Sequence, residues 1–156
     1  MTLQFVPGES CDYSAIEDIY RQAFPRYVLA VGRDLLSDPR GELEDYRIRD
    51  NLWVARDDAG IAGFVVLSSY DDRLELEKIC VHPARQKTGV GPFLLDGIEQ
   101  LARDRGVAKL SLHTTQIMTG LVRLYQQQGY RIVRQGLPEH GLDDYQRVFM
   151  EKRIQS

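Results

Sequence analysis

Val81-His82-Pro83-Ala84-Arg85-Gln86-Lys87-Thr88-Gly89-Val90-Gly91-Pro92 is the stretch on which the fold turns. Before it, Leu74 to Val81 reads as a strand. After it, Val90 to Arg105 sets Val90, Leu94, Ile98, Leu101 and Ala102 on one helical face, and Arg105-Gly106 reads as the C-terminal cap. Leu110 and Leu112 mark the next strand. Strand, helix and strand in that order predict a β-α-β unit with parallel strands and a right-handed crossover. In the connecting stretch, Gly89 and Gly91 stand where backbone must come close to something. Pro92 suits a first helical turn, where its missing N–H leaves no bond unmade. A helix N-terminus with bare N–H groups is an anion site, and Arg85 and Lys87 would favour a polyanion such as pyrophosphate. The glycines by themselves describe a tight β-to-α turn equally well. Two other phosphate loops are excluded: Gly91 is followed by Pro92-Phe93 rather than Lys-Ser/Thr, and Leu94 stands where a dinucleotide loop needs its third glycine.

Outward from this unit the chain alternates regularly. Leu3 to Val6 reads as a first strand. Ser14 and Glu17 have capping-box spacing, ahead of Ile16, Ile19, Tyr20, Ala23 and Phe24 at helical spacing and Pro25 as a stop. Leu29 to Leu36 has the pattern of a short helix, and Pro39-Arg40-Gly41 reads as a turn. Leu52 to Arg56 and Ile61 to Ser69 read as a hairpin across Asp57-Asp58-Ala59-Gly60. Beyond the central unit, Met118 to Gln128 aligns Leu121, Leu124, Tyr125 and Gln128 on one helical face, closed by Gly129. Tyr130 to Arg134 and Arg147 to Glu151 complete the strands. The order β-α-(α)-β-β-β-α-β-α-β-β predicts a mixed α/β sheet covered on both faces, formed by residues 1–156 as a single domain.

Composition narrows the functional classes. A chain of 156 residues, 43% hydrophobic, 28% charged and with net charge −3, lacks the basic footprint of a sequence-independent nucleic-acid binder. No apolar run approaches the ~20 residues that span a bilayer, and Met1 to Ser10 lacks the form of a signal peptide, so a cytoplasmic location and no membrane partner are expected. Cys11 and Cys80 form no CxxC pair, and His82, His113 and His140 show no metal-ligand spacing, so chemistry without a metal is expected.

Gln86-Lys87-Thr88-Gly89-Val90-Gly91 resembles the Q/R-x-x-G-x-G/A motif of the GNAT N-acetyltransferase superfamily. Ile79-Cys80-Val81-His82-Pro83 resembles that family's bulged fourth strand and its exit. Leu124-Tyr125-Gln126-Gln127-Gln128-Gly129-Tyr130 is similar to its LYxxxGF segment, and Val148-Phe149-Met150-Glu151-Lys152 to its last strand. The features follow family order over nearly the whole chain.

The resemblance implies a mostly antiparallel sheet with a central parallel pair. Strands four and five, Leu74–Val81 and Ala108–His113, would splay apart to admit a pantetheine arm. Acetyl-CoA would be cosubstrate, its pyrophosphate on the backbone of Gln86, Lys87, Thr88, Gly89, Val90 and Gly91. Backbone groups of Ile79, Cys80 and Val81 would hold the pantetheine and stabilise the oxyanion of the acetyl carbonyl. The family often carries Asn seven residues before the tyrosine, where this chain has Met118.

Acetyl transfer to an amine needs a base for the amine proton and an acid for the departing thiolate. By the resemblance Tyr125 lies beside the CoA sulfur and is the acid; by spacing alone it is equally a core aromatic. Glu75 and Glu77, two apart on one strand and so on one face, are the candidate bases, an exposed sheet face being the alternative. Cys80 reads as a small buried hydrophobe rather than a covalent acyl carrier. His113, read as capping the end of the fifth strand, is a further candidate base, and His140 lies in a polar loop beside the expected acceptor site. Arg26 to Asp50 is expected to form a lid over the acceptor. Transfer of acetyl to a primary amine of a small molecule or peptide leads. Another acyl-CoA, an oxygen acceptor, a non-catalytic acyl-CoA sensor and a homodimer stay open.

Overall fold

A computed structural model describes residues 2–23, 39–115, 119–137 and 146–154. The elements are β1 (Gln4–Pro7), α1 (Tyr13–Ala23), α2 (Pro39–Ile48), β2 (Leu52–Asp57), β3 (Gly60–Ser69), β4 (Leu74–Val81), α3 (Val90–Asp104), β5 (Lys109–Thr115), α4 (Thr119–Gln127), β6 (Arg131–Gly136) and β7 (Arg147–Arg153). Single 3-10 turns occupy Ser10–Asp12 and Pro83–Arg85. The strands form a 7-stranded sheet in the order β1-β2-β3-β4-β5-β7-β6. Every neighbouring pair is antiparallel except β4–β5, whose parallel pairing is the expected β-α-β unit.

Two apolar clusters lie on opposite faces of this sheet. On one, Leu94 and Ile98 of α3 and Tyr125 of α4 meet Leu74, Leu110 and Met150. On the other, Ile16 and Ile19 of α1 and Leu43 of α2 meet Val54, Phe64 and Cys80. This second cover lies over β2, β3 and β4. On β5 and β7 the residues alternating with Leu110, Leu112, Val148 and Met150 are Ser111, His113, Arg147 and Phe149, and they border a cavity.

The N-terminal helix starts earlier than its Ser14/Glu17 pattern suggests. The capping box is formed by Glu9 and Asp12, with Glu9 extended at φ −118°, ψ 162°. Ser14 and Glu17, already inside α1, bind Arg40 instead: its Nη2 donates to Ser14 Oγ at 2.9 Å and its Nε lies 2.9 Å from Glu17 Oε1. Pro39-Arg40-Gly41 is therefore not a free turn but the first turn of α2, where proline is well suited. Leu29 to Leu36, and the lid segment before Pro39, lie outside the described residues, as do Met118 and His140. Among the described residues no helix is long and apolar enough to cross a membrane.

One irregularity positions the site. In the β3–β4 ladder Val66 faces Lys78 and Leu67 faces Leu76, which leaves Glu77 as an extra residue, a β-bulge. Leu74, Leu76 and Ile79 consequently share the α3 side, although strict alternation would put Ile79 opposite the two leucines. Glu75 and Glu77 fall between them on the other face.

Candidate active site

β4 and β5 pair at Leu74↔Leu110, Glu75↔Ser111 and Leu76↔Leu112, and there the ladder stops. β4 nevertheless runs on to Val81 with β3 as its partner, and β5 runs on to Thr115. The β5-facing edge of Ile79, Cys80 and Val81 thus offers backbone groups to a cleft, and such groups require partners. This is the splay the sequence implies, and it begins at the bulge.

The loop before α3 stands at the mouth of that cleft. Gln86, Lys87, Thr88 and Gly89 are exposed, and Gly89 is the N-cap with φ 93°, the left-handed region that glycine enters without penalty. Lys87 also has positive φ, 63°. Thr88 donates its hydroxyl to the Arg85 carbonyl, and His82 Nδ1 accepts from the Ala84 N–H at 3.0 Å, so side chains hold the loop. One expectation changes here. Arg85 is not available to a polyanion, because its guanidinium forms a two-point pair with Asp57 on the β2–β3 hairpin. Gly91 is also small for α4: a Cβ there would lie 3.2 Å from Leu124 Cδ2.

Gly63, which carried no signal in the sequence, has a related role. A Cβ at Gly63 would lie 2.6 Å from the Cys80 carbonyl and 3.0 Å from Leu94. Gly63→Ala should therefore push β4 and lower stability by ~1–3 kcal/mol, the usual cost of overpacking. Chemical denaturation checks this; an unchanged midpoint would mean that β4 moves freely.

Tyr125 is buried at 4% exposure, and its ring meets Tyr130 at 5.8 Å between centroids, tilted by 60°. It belongs to the same buried cluster as Ile79 of β4 and Val90 of α3. Burial, and then the neighbouring Cys80, push its phenol well above the ordinary range, so the hydroxyl keeps its proton at neutral pH. Burial likewise pushes the Cys80 thiol far up, which suits a packed hydrophobe and not a nucleophile.

Glu75 and Glu77 are brought together on the face opposite Tyr125's cluster. Ser111 Oγ donates to Glu75 Oε1 at 3.1 Å. The Glu77 carboxyl is raised above its usual value, by burial first; a hydrogen bond from Ser68 opposes this, and the adjacent Glu75 adds to it. Two aromatic neighbours escaped the sequence reading. The Tyr46 phenol is pushed up to about 12, chiefly by burial and then by the charges of Glu77 and Glu42. Tyr70 borders a cavity of about 520 Å³ with Glu75 and a second of about 390 Å³ with Tyr46 and Ser68. The only trace of Tyr46 in the sequence is its position three residues after Leu43, on the buried side of α2. His113 does not cap β5, which continues to Thr115; it stacks on Phe149 with centroids 5.6 Å apart and planes 9° apart, on the wall of the larger cavity.

The parallel pair parts after Leu76↔Leu112, and the helix that joins its strands is capped by Gly89. The sequence matches the Acetyltransferase (GNAT) family over residues 13–130, and the chain belongs to that family. It is 31% identical over 80 residues to YyaT, an uncharacterized protein of Bacillus subtilis, covering 51% of this chain and 50% of that one. The chain spans about half the length of the relatives it matches by sequence. Ard1 from Thermoplasma volcanium superposes with a TM-score of 0.81 at 18% identity, covering 100% of both chains. A GNAT family acetyltransferase from Elizabethkingia anophelis, solved with acetyl-CoA bound, superposes with a TM-score of 0.71 at 22% identity, covering 97% of this chain and 98% of that one. These superpositions establish the fold.

Proposed function

We propose that the chain transfers the acetyl group of acetyl-CoA directly to a primary amine. The observation that carries this reading is the end of β4–β5 pairing at Leu76↔Leu112, with the capped N-terminus of α3 at the opening. The residues present suit acetyl-CoA. The exposed stretch from Gln86 to Gly89 and the first turn of α3, Val90 and Gly91, would hold the pyrophosphate, chiefly by the N–H groups from Lys87 onward, since that of Gln86 already donates to the Pro83 carbonyl. The free edge of Ile79, Cys80 and Val81 would bind the amide-bearing arm as a strand would, and one of its N–H groups would stabilise negative charge on the acetyl oxygen.

The other face supplies the acceptor's chemistry. Glu77, or Glu75 beside it, takes the proton of the attacking nitrogen directly or through water. As the C–S bond breaks, the Tyr125 hydroxyl gives its proton to the sulfur. The base and the acid thus approach the reacting carbon from opposite faces of the sheet, through the gap between β4 and β5. Thiol release from acetyl-CoA, measured across amines, amino acids and peptides, tests the proposal; no release with any of them would reject it.

Glu77→Gln gives two linked expectations. Activity near neutral pH should fall about 10-fold, less than the ~10²-fold of a sole base because Glu75 remains, and should partly recover at higher pH as more amine is unprotonated. Stability should move the other way. A carboxyl whose folded pKa is raised favours the fold below its unfolded pKa, and this contribution is lost as pH rises through the folded pKa. The variant should therefore gain Tm over the wild type with rising pH and show no gain in acid. Parallel pH–rate and pH–melting curves check both. Unaltered pH–rate curves in Glu77→Gln and Glu75→Gln alike would place the base elsewhere.

A further inference from the structure

The bulge in β4 also redirects a lysine. Regular alternation sends neighbouring side chains to opposite faces, so Glu77 and Lys78 would part. The shift of register pairs Lys78 with Val66, and cross-strand partners share a face. Val66 packs under α1 and α2, so Lys78 projects to that side, as does Cys80 opposite Phe64. Glu77, which accepts a hydrogen bond from Ser68, lies on the same side. Burial raises the Glu77 carboxyl and the Cys80 thiol, and the charge of Lys78 works against that rise in both. Lys78 is half-buried and stands two residues beyond Leu76, where pairing with β5 ends. The next residue, Ile79, begins the free edge that would receive the acetyl group.

The chain has four lysines, and the others are placed differently. Lys109 sits between Asp72 and Glu151, 3.7 Å from each, and Lys152 lies 2.9 Å from Glu99. Lys87 is exposed on the loop before α3. Lys78 has no ion-pair partner among the described residues and stands on the face assigned to the acceptor. Its amine ends a flexible four-carbon stem that can bend over the strand edge. We propose that Lys78 is a modification site, acetylated by its own chain when acetyl-CoA is bound and no acceptor is present. The ammonium first loses one proton to water. Its nitrogen then attacks the thioester carbonyl, and Glu77 takes the second proton. The C–S bond breaks, and the sulfur leaves as CoA thiol with the proton of Tyr125. One ammonium and one thioester thus give one amide, one thiol and one released proton. The amide is neutral, so the acceptor face loses the cation beside Glu77. This inference rests on the acetyl-transfer reading and adds a substrate within the chain.

Incubation of the whole protein with acetyl-CoA alone, followed by intact-mass measurement and peptide mapping, tests it. One acetyl group should appear on Lys78 at least ~10-fold faster than on exposed Lys87, because a positioned amine outpaces a freely colliding one. The fraction modified per unit time should not depend on protein concentration, as for a reaction within one molecule. Lys78→Arg, which keeps the charge, should abolish that adduct, and Glu77→Gln should slow it about 10-fold through the loss of a base. An unmodified protein, labelling of Lys87 as fast as Lys78, or a fraction that rises with protein concentration overturns the proposal. Thiol release with added amines but no acetyl on Lys78 removes only this assignment. Absence of acetyl-CoA binding by calorimetry, together with no thiol release from any amine, removes the acetyl-transfer reading with it.

Discussion

Tyr125→Phe is expected to lower kcat by ~10²-fold or somewhat more, the usual contribution of one general acid, with little change in acetyl-CoA affinity. The ring stays, so the contact with Tyr130 and the place of residue 125 in the core cluster survive. On the proposed mechanism, what disappears is the donor that would give its proton to the departing sulfur. The high phenol pKa sharpens the expectation: at any pH where the fold is intact below alkaline conditions the hydroxyl is protonated, so its loss should scale the rate without moving the pH profile. Steady-state kinetics with acetyl-CoA and a thioester of a more acidic thiol separate the roles, because a better leaving group needs less help and should narrow the gap. A wild-type rate in Tyr125→Phe would rule this tyrosine out as the acid.

Gly89→Glu should weaken acetyl-CoA binding by at least ~10-fold, since like charges placed in contact cost several kcal/mol. A Cβ at Gly89 meets nothing within 4 Å, so the protein has room for the new side chain. The left-handed backbone, φ 93°, does impose strain on any other residue, of order 1 kcal/mol. Gly89→Asn controls for it, because Asn tolerates this region and carries no charge. Calorimetry should show near-normal affinity for the Asn variant and loss for the Glu variant. Equal affinities for Gly89→Glu and wild type, with the fold intact, would move the pyrophosphate away from this loop.

Legibility in the sequence followed the range of the interactions. β4 and α3 could be read residue by residue because apolar periodicity is local, and the β-α-β unit then followed from chain geometry. Arg85 was misread because its partner, Asp57, lies on a hairpin 28 positions earlier, and nothing near Arg85 announces that pairing. Gly91 has the same smallness whether a phosphate or Leu124 approaches it, so its sequence is silent on which does. The bulge at Glu77 has no glycine to mark it; it is a shift of register between β3 and β4, set by pairing rather than by the residues beside it. Glu75 and Glu77 nevertheless share a face, as their spacing of two predicts, because the alternation of β4 is unbroken from Leu74 to Glu77. Tyr46 and Tyr70 were missed because a tyrosine on a helix or at a turn looks the same whether it borders a cavity or covers a core.

The order β4-β5-β7-β6 has a consequence for redesign. The cleft that would take acetyl-CoA is built from residues 79–91, whereas Phe149, Arg147 and Arg134 come from the final hairpin, beyond residue 130 where the family match ends. A transplanted β6–β7 hairpin would therefore exchange the far wall of the 520 Å³ cavity while leaving residues 79–91 as they are. The seam of such a graft is the β5–β7 ladder from Lys109↔Arg153 to Thr115↔Arg147, where main-chain pairing, largely indifferent to side chains, would carry the new wall in register.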